Sequence, residues 1–209
     1  MKTQSGKLRE NSKEKSKQRF LNAVGQILKE KGFAGLKVNN IAATAGLDKK
    51  LIYNYFGGTD ELLDEYLRQQ DFWNKVESEI DPDKIKDGGK EFSVQSLLGQ
   101  FDYVSENKEF QKVILWRLSE PREALAKLTS DQELIGEALF TKITNAHFGE
   151  KANQYKAIMA ILVSSMYHLN LSSQFNGSVY CGIDVQDEQG RAEIKKAVSF
   201  LIEQTYKNL

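Results

Sequence analysis

Apolar residues recur at helical spacing along most of the chain, and the places where that rhythm fails divide it into segments. Phe20, Ala23, Val24, Ile27 and Leu28 follow the i, i+3, i+4, i+7, i+8 order of one buried stripe, and Asn11 with Glu14 is spaced as a capping box ahead of it. Residues 1–10 carry no apolar periodicity and read as a mobile arm. Gly32 supplies a left-handed cap, after which Phe33 and Leu36 open the next packing layer. Val38, Ile41, Ala42 and Ala45 line the inner face of a second short helix, Gly46 interrupts it, and Leu51, Ile52, Tyr55 and Phe56 mark a third. Gly57 and Gly58 break the pattern again. Thr59 then reads as the N-cap of a fourth helix, with Asp60 and Glu61 in its first turn and its end near Ile80.

Pro82 and the polar run through Glu91 predict a loop. Helical periodicity resumes at about 92–106, 108–119, 122–128, 131–147 and 152–175, and residues 176–190 form a glycine-punctuated connection. Ile194, Ala197, Val198, Leu201 and Ile202 give a last helix one apolar stripe. With only two prolines in 209 residues, the predicted fold is all-α. The longest apolar stretch, Ala157 to Leu169, is interrupted by Ser164, Ser165 and His168 and falls short of the ~20 residues a membrane span needs. A single cysteine and the lack of a secretory pattern at the start make a cytoplasmic protein the expectation.

Charge changes this picture through its placement. The formal net charge is zero, yet residues 1–56 hold twelve Lys or Arg and four acids, a balance of +8 offset by −8 in the remainder. A basic head on an acidic body concentrates phosphate affinity at one end.

Residues 38–56 meet the physical requirements of a helix-turn-helix. Ala42 is small where two helices cross, Gly46 follows where the tight turn favours positive φ, Leu47 fills the space beneath the turn, and Ile52 closes the small core. Asp48 is placed to cap the next helix, which then exposes Lys49, Lys50, Tyr53 and Asn54 to a DNA groove. Two lysines in a first turn oppose the helix dipole, and a polyanion offsets that cost. The Tyr53 and Tyr55 hydroxyls can reach phosphate oxygens and Asn54 a base edge, while Tyr55, next to Phe56, serves packing equally well. Lys37, Asn39, Thr44 and Thr59 complete the candidate DNA-binding set.

The run from Phe33 to Leu63 resembles the signature of the TetR family, with Ile41-Ala42, Ala45-Gly46-Leu47, Tyr53, Phe56 and Glu61-Leu62 at the positions the pattern wants. The resemblance covers residues 14–63 and continues beyond them only in size and helical plan. Five positions depart from it: Lys37 replaces a usual threonine, Asp48 a serine, Lys50-Leu51 a small pair, and Thr59 a lysine. A phosphate contact at Lys37 becomes ionic, Asp48 brings a negative charge toward DNA, Leu51 either touches a thymine methyl or packs inward, and Thr59 supplies a neutral hydroxyl or no anchor.

Behind the arm over 1–10, the resemblance implies a DNA-binding domain over 11–58 and a regulatory and dimerisation domain over 59–209. It further implies a homodimer through the last two helices, an unidentified small-molecule effector, a palindromic operator on double-stranded DNA, and no cofactor. Tyr103, Phe110, Trp116, Phe140, Tyr167 and Phe175 are aromatic residues available to line an effector pocket. A ligand-independent architectural DNA binder and an enzyme with an appended helix-turn-helix are the competing readings. The second fares poorly. His147 and His168 fall on different predicted helices with no metal-ligand partner at suitable spacing, so each reads as structural. Cys181 has no base evident near it, and a redox role there stays open.

Overall fold

Helix α1 of the computed structural model spans Gln4–Lys31 and opens an all-α chain whose described residues are 4–70, 72, 76, 81–175 and 177–209. Its start corrects the expected arm and capping box, because residues 4–10 are helical and Asn11 lies well inside the helix. Lys, Arg, Glu and Gln are strong helix formers, and adding turns to an already nucleated helix requires no buried face. A short 3₁₀ turn, Phe33–Gly35, leads into α2 (Val38–Ala45), α3 (Lys50–Phe56) and α4 (Thr59–Gln69). Thr59 is the first helical residue of α4 and not its cap, since the extended Gly58 occupies the capping position. The continuation of this helix expected toward Ile80 falls largely on 71, 73–75 and 77–80, outside the described residues.

Pro82–Lys84 forms one 3₁₀ turn, followed by α5 (Lys90–Glu106), α6 (Lys108–Ser119) and α7 (Glu123–Leu139). The break expected between 128 and 131 is absent. Thr129 and Ser130 donate their hydroxyls to the carbonyls of Leu125 and Ala126, at 2.9 and 3.1 Å, and so remain helical. A π turn, Phe140–Thr144, joins α7 to α8 (Asn145–Phe148), and α9 spans Ala152–Phe175 as expected. The glycine-punctuated connection holds a small antiparallel hairpin, β1 (Val179–Tyr180) and β2 (Ile183–Asp184), before α10 (Glu188–Asn208).

The chain forms two units, Met1–Asp71 with Lys112–Ser130, and Phe72–Gln111 with Asp131–Leu209. In the first, Phe20, Val24, Ile27 and Leu28 of α1 pack on Ile41, Ile52, Leu62, Leu63 and Leu67. Trp116 belongs to this core and stacks on Phe33 at 5.9 Å. In the second, Leu97 and Phe101 of α5 pack with Tyr155, Met159, Leu162 and Met166 of α9 and with Val198 and Ile202 of α10.

Polar contacts fix the register of the second unit. Asp87 accepts from the backbone amides of Glu91 and Gly89 at 2.7 and 3.0 Å, and the Glu91 bond is the leading reason its carboxyl is held below the usual range. The buried Asn170 donates to the carbonyls of Phe101 and Met166 at 3.0 and 2.8 Å and accepts from Arg191, which also pairs with Asp102 at 3.0 Å. Gly190 is buried in the first turn of α10, where a Cβ would stand 1.8 Å from the Asp184 carbonyl oxygen, so no larger residue fits. No described helix is long and apolar enough to cross a membrane.

Candidate nucleic-acid interface

The interface is built on the turn between α2 and α3. Gly46 sits in the left-handed region at φ 61°, its amide donates to Ala43, and the Leu47 amide reaches back to the Ala42 carbonyl at 3.1 Å. This pair of bonds is a Schellman closure, accompanied by Ala42 and Leu47 meeting in the core beneath it. Asp48 caps α3 by accepting from the Lys50 amide at 2.8 Å. Arg19 of α1 donates to the Ala45 carbonyl at 2.6 Å and to Gly46 at 3.3 Å, placing a cation on the negative end of α2.

Burial on one side of α3 sets exposure on the other. Ile52 is fully buried, so Lys49, Lys50, Tyr53 and Asn54 turn outward, with Tyr53 54% exposed. Lys49 donates to Asn39 of α2 at 3.2 Å, and Asn39, Thr44 and Lys37 are also exposed. Tyr55 and Leu51 are half-buried against the core, and Tyr55 carries the Lys13 ammonium 5.6 Å above its ring. Lys17 lies over Phe56 at 5.0 Å and pairs with Glu65 at 3.0 Å. Thr59 is half-buried at the start of α4. Lys37, Asn39, Thr44, Lys49, Lys50, Tyr53 and Asn54 therefore share exposure on the helix-turn-helix, while Tyr55 and Thr59 are partly withdrawn.

Arg19, Lys13 and Lys17 were absent from the expected set. Their partners on α3 and its turn lie more than 25 residues away in sequence, and only the basic excess of α1 hinted at them.

The six aromatic residues proposed for an effector pocket separate. Tyr103, Phe110 and Tyr167 come together in the second unit, with ring centroids 5.3 Å apart for Tyr103 and Phe110 and 6.2 Å for Phe110 and Tyr167. Trp116 lies in the core of the first unit, where its indole N–H donates to Glu120 at 2.8 Å. Phe140 packs edge-on against Tyr155 at 6.1 Å, and Phe175 is exposed near the end of α9. His147 and His168 rest against Tyr206 and Tyr180, at 5.0 and 5.6 Å. Among the described residues no group of three or more His, Cys, Asp or Glu is placed to hold a metal ion. Cys181 is exposed at the hairpin turn.

Residues 20–66 match the family described as bacterial regulatory proteins, tetR family. Over 103 residues the chain is 30% identical to the HTH-type transcriptional repressor SCO4008 of Streptomyces coelicolor, an alignment covering 49% of this chain and 50% of that protein. The chain thus matches about half the length of this curated relative. A TetR-family transcriptional regulator of Haemophilus influenzae superposes with a TM-score of 0.53 at 17% identity, over 94% of this chain and 97% of that one. A fatty acid metabolism regulator of Clostridium perfringens gives 0.52 at 16% identity, over 91% and 95%. At these identities the two structures speak for the fold.

Proposed function

We propose, from the match of residues 20–66 to the bacterial regulatory proteins of the tetR family, that the chain is a dimeric, effector-responsive transcriptional repressor. The observation that carries the reading is the outward row Lys49, Lys50, Tyr53 and Asn54 on a helix whose opposite side is locked by fully buried Ile52. The two lysines bind phosphate, Tyr53 adds a hydroxyl, and Asn54 reads a base edge. Lys37, Asn39 and Thr44 contact the flanking backbone. Residues 11–58 grip DNA, and the larger part of 59–209 senses and dimerises.

Dimerisation runs through α9 and α10. Ala157, Ala160, Ile161 and Ser164 form an uncharged exposed stripe on α9, and Ala197, Phe200 and Leu201 form another on α10. Ile161 and Phe200 are 69% and 59% exposed, an apolar surface suited to a second copy. Two-fold symmetry sets two recognition helices roughly 34–36 Å apart, against consecutive major-groove faces of an imperfect palindrome in the cytoplasm. An effector in the second unit favours a spacing that no longer fits, so repression is relieved by population shift and no turnover is involved.

Selection of bound fragments from the source genome tests the proposal. Recovery of an imperfect palindrome, with Asn54→Ala relaxing its sequence preference, is the expected result. Failure to retain any duplex at low salt overturns it.

A further inference from the structure

Every buried polar side chain among the described residues lies in the second unit, and every one is uncharged. Most close a bond within the chain. Ser93 donates to the Gly89 carbonyl, Gln111 to Val104, Asn170 to Phe101 and Thr205 to Leu201. Gln100 does not. It is fully buried on α5, and both its Nε2 and its Oε1 lack a hydrogen-bond partner. A carboxamide taken out of water at both ends bears the desolvation cost with nothing in return, so an unmet pair of this kind marks a place where another molecule completes the bonding.

The surroundings narrow what that molecule is. Gln100 precedes Tyr103 by three positions on α5, which sets the two on one face of the helix. The Tyr103 ring lies 5.4 Å from Phe72 and 5.3 Å from Phe110, and next to Gln100 the glycine at 99 leaves Phe72 close to the helix backbone. Tyr103 thus shares a helix face with the unpaired amide, and Phe72 meets α5 one residue before it. A charged compound seated here finds no buried counter-charge among the described residues, whereas a neutral one is not penalised.

Building on the effector-responsive reading above, we infer that the effector is an uncharged ring compound presenting a cis C(=O)–N–H edge, as in a lactam, imide or cyclic urea, to Gln100. The Gln100 amide donates Nε2–H to the compound's carbonyl, and its Oε1 accepts from the compound's N–H. Both orphaned atoms are answered by two parallel bonds, which a lone hydroxyl cannot do. The ring of the compound lies against Tyr103 and Phe110.

The test uses the full chain with three probes: 2-quinolone, N-methyl-2-quinolone and 2-naphthoate, with titration calorimetry and thermal melting as readouts. The wild type binds 2-quinolone with one site per chain, binds the N-methylated compound at least tenfold more weakly, and does not bind 2-naphthoate. Gln100→Met, with Gln100→Leu as the second variant, loses at least tenfold in affinity for 2-quinolone while melting no lower than the wild type. Three results overturn the inference: no binding of 2-quinolone, equal binding of its N-methyl form or of 2-naphthoate, or variants that melt lower yet keep their affinity, as a side chain satisfied by water does. Duplex binding by the same wild-type preparation separates the two readings. If duplex is retained without lactam binding, the effector class alone fails; if duplex is not bound, the regulator reading fails.

Discussion

The two units distribute polarity in opposite ways. The first has no buried polar side chain among its described residues, and its cationic and amide groups are displayed on the outside of α2 and α3. The second buries Ser93, Ser96, Gln100, Gln111, Thr144, Asn170, Ser173 and Thr205, and turns Leu134, Ile161, Phe175, Val179, Tyr180, Phe200 and Leu201 outward. An apolar core with polar surface is how a small helical head secures one shape while offering charge to a polyanion. Uncharged polar side chains set into an apolar core, with apolar residues on the surface, fit the proposed body that takes an effector and pairs with a second copy. Among the described residues, large exposed apolar side chains in the head reduce to Tyr53, on the recognition helix, and Leu118.

Substitutions can break or sharpen this contrast, and the largest effect belongs to the head's core. Ile52→Ala removes a fully buried side chain from an interior with no polar fallback, at a cost of about 2–5 kcal/mol. Duplex binding should vanish with an early melting step, leaving most of the helical circular dichroism of the second unit; a single shared transition would show that the two units do not melt independently. In the body, Asn170→Leu strips the donor from the Phe101 carbonyl and the acceptor from Arg191, and urea melts should show a loss of about 1–3 kcal/mol with DNA affinity per folded molecule preserved.

On the outer face, Phe200→Glu should raise the dimer dissociation constant at least tenfold, about 1.4 kcal/mol, as read by sedimentation. An unchanged sedimentation profile would detach the exposed stripe from self-association. Lys50→Ala should reduce the slope of log affinity against log salt by about one, with melting temperature unaltered.

The smallest effect is alkaline. Burial, followed by the proximity of Tyr155, pushes the Tyr206 hydroxyl well above its ordinary value of 10.0. The folded state therefore holds a proton that the unfolded chain releases near pH 10, so stability is whole below that pH and declines as pH rises beyond it. Tyr206→Phe should flatten the decline in urea melts taken from pH 8 to 11, whatever it does at neutral pH through its lost bond to the Gly88 carbonyl.

Residues whose neighbours are close in sequence were the most legible. Ala42, Gly46 and Ile52 state the helix-turn-helix because its helices cross within a dozen positions, and the bounds of α9 follow from an apolar run that ends in glycine. Polar residues misled where local propensity met an existing helix, as at 4–10 and at Thr129 and Ser130. The hairpin was hidden because Cys181 takes a positive φ of 51°, where Asn or Asp ordinarily signals such a turn. Trp116 shares α6 with Phe110 but lies beyond position 111, where the second unit's share of the helix ends, so one joins the head and the other the body. Gln100 is invisible to any periodicity, since only three-dimensional burial shows that nothing answers it.

The guanidinium of Arg19 on the elbow between α2 and α3 gives the head a mechanical property. A helix of 28 residues is about 42 Å long, and this one is tied to the corner that carries the reading surface by Arg19, by Lys13 and Lys17 over the rings of Tyr55 and Phe56, and by a shared apolar core. With contacts at several points along the shaft, the corner has no loose joint of its own, and its orientation is that of the long helix beneath it.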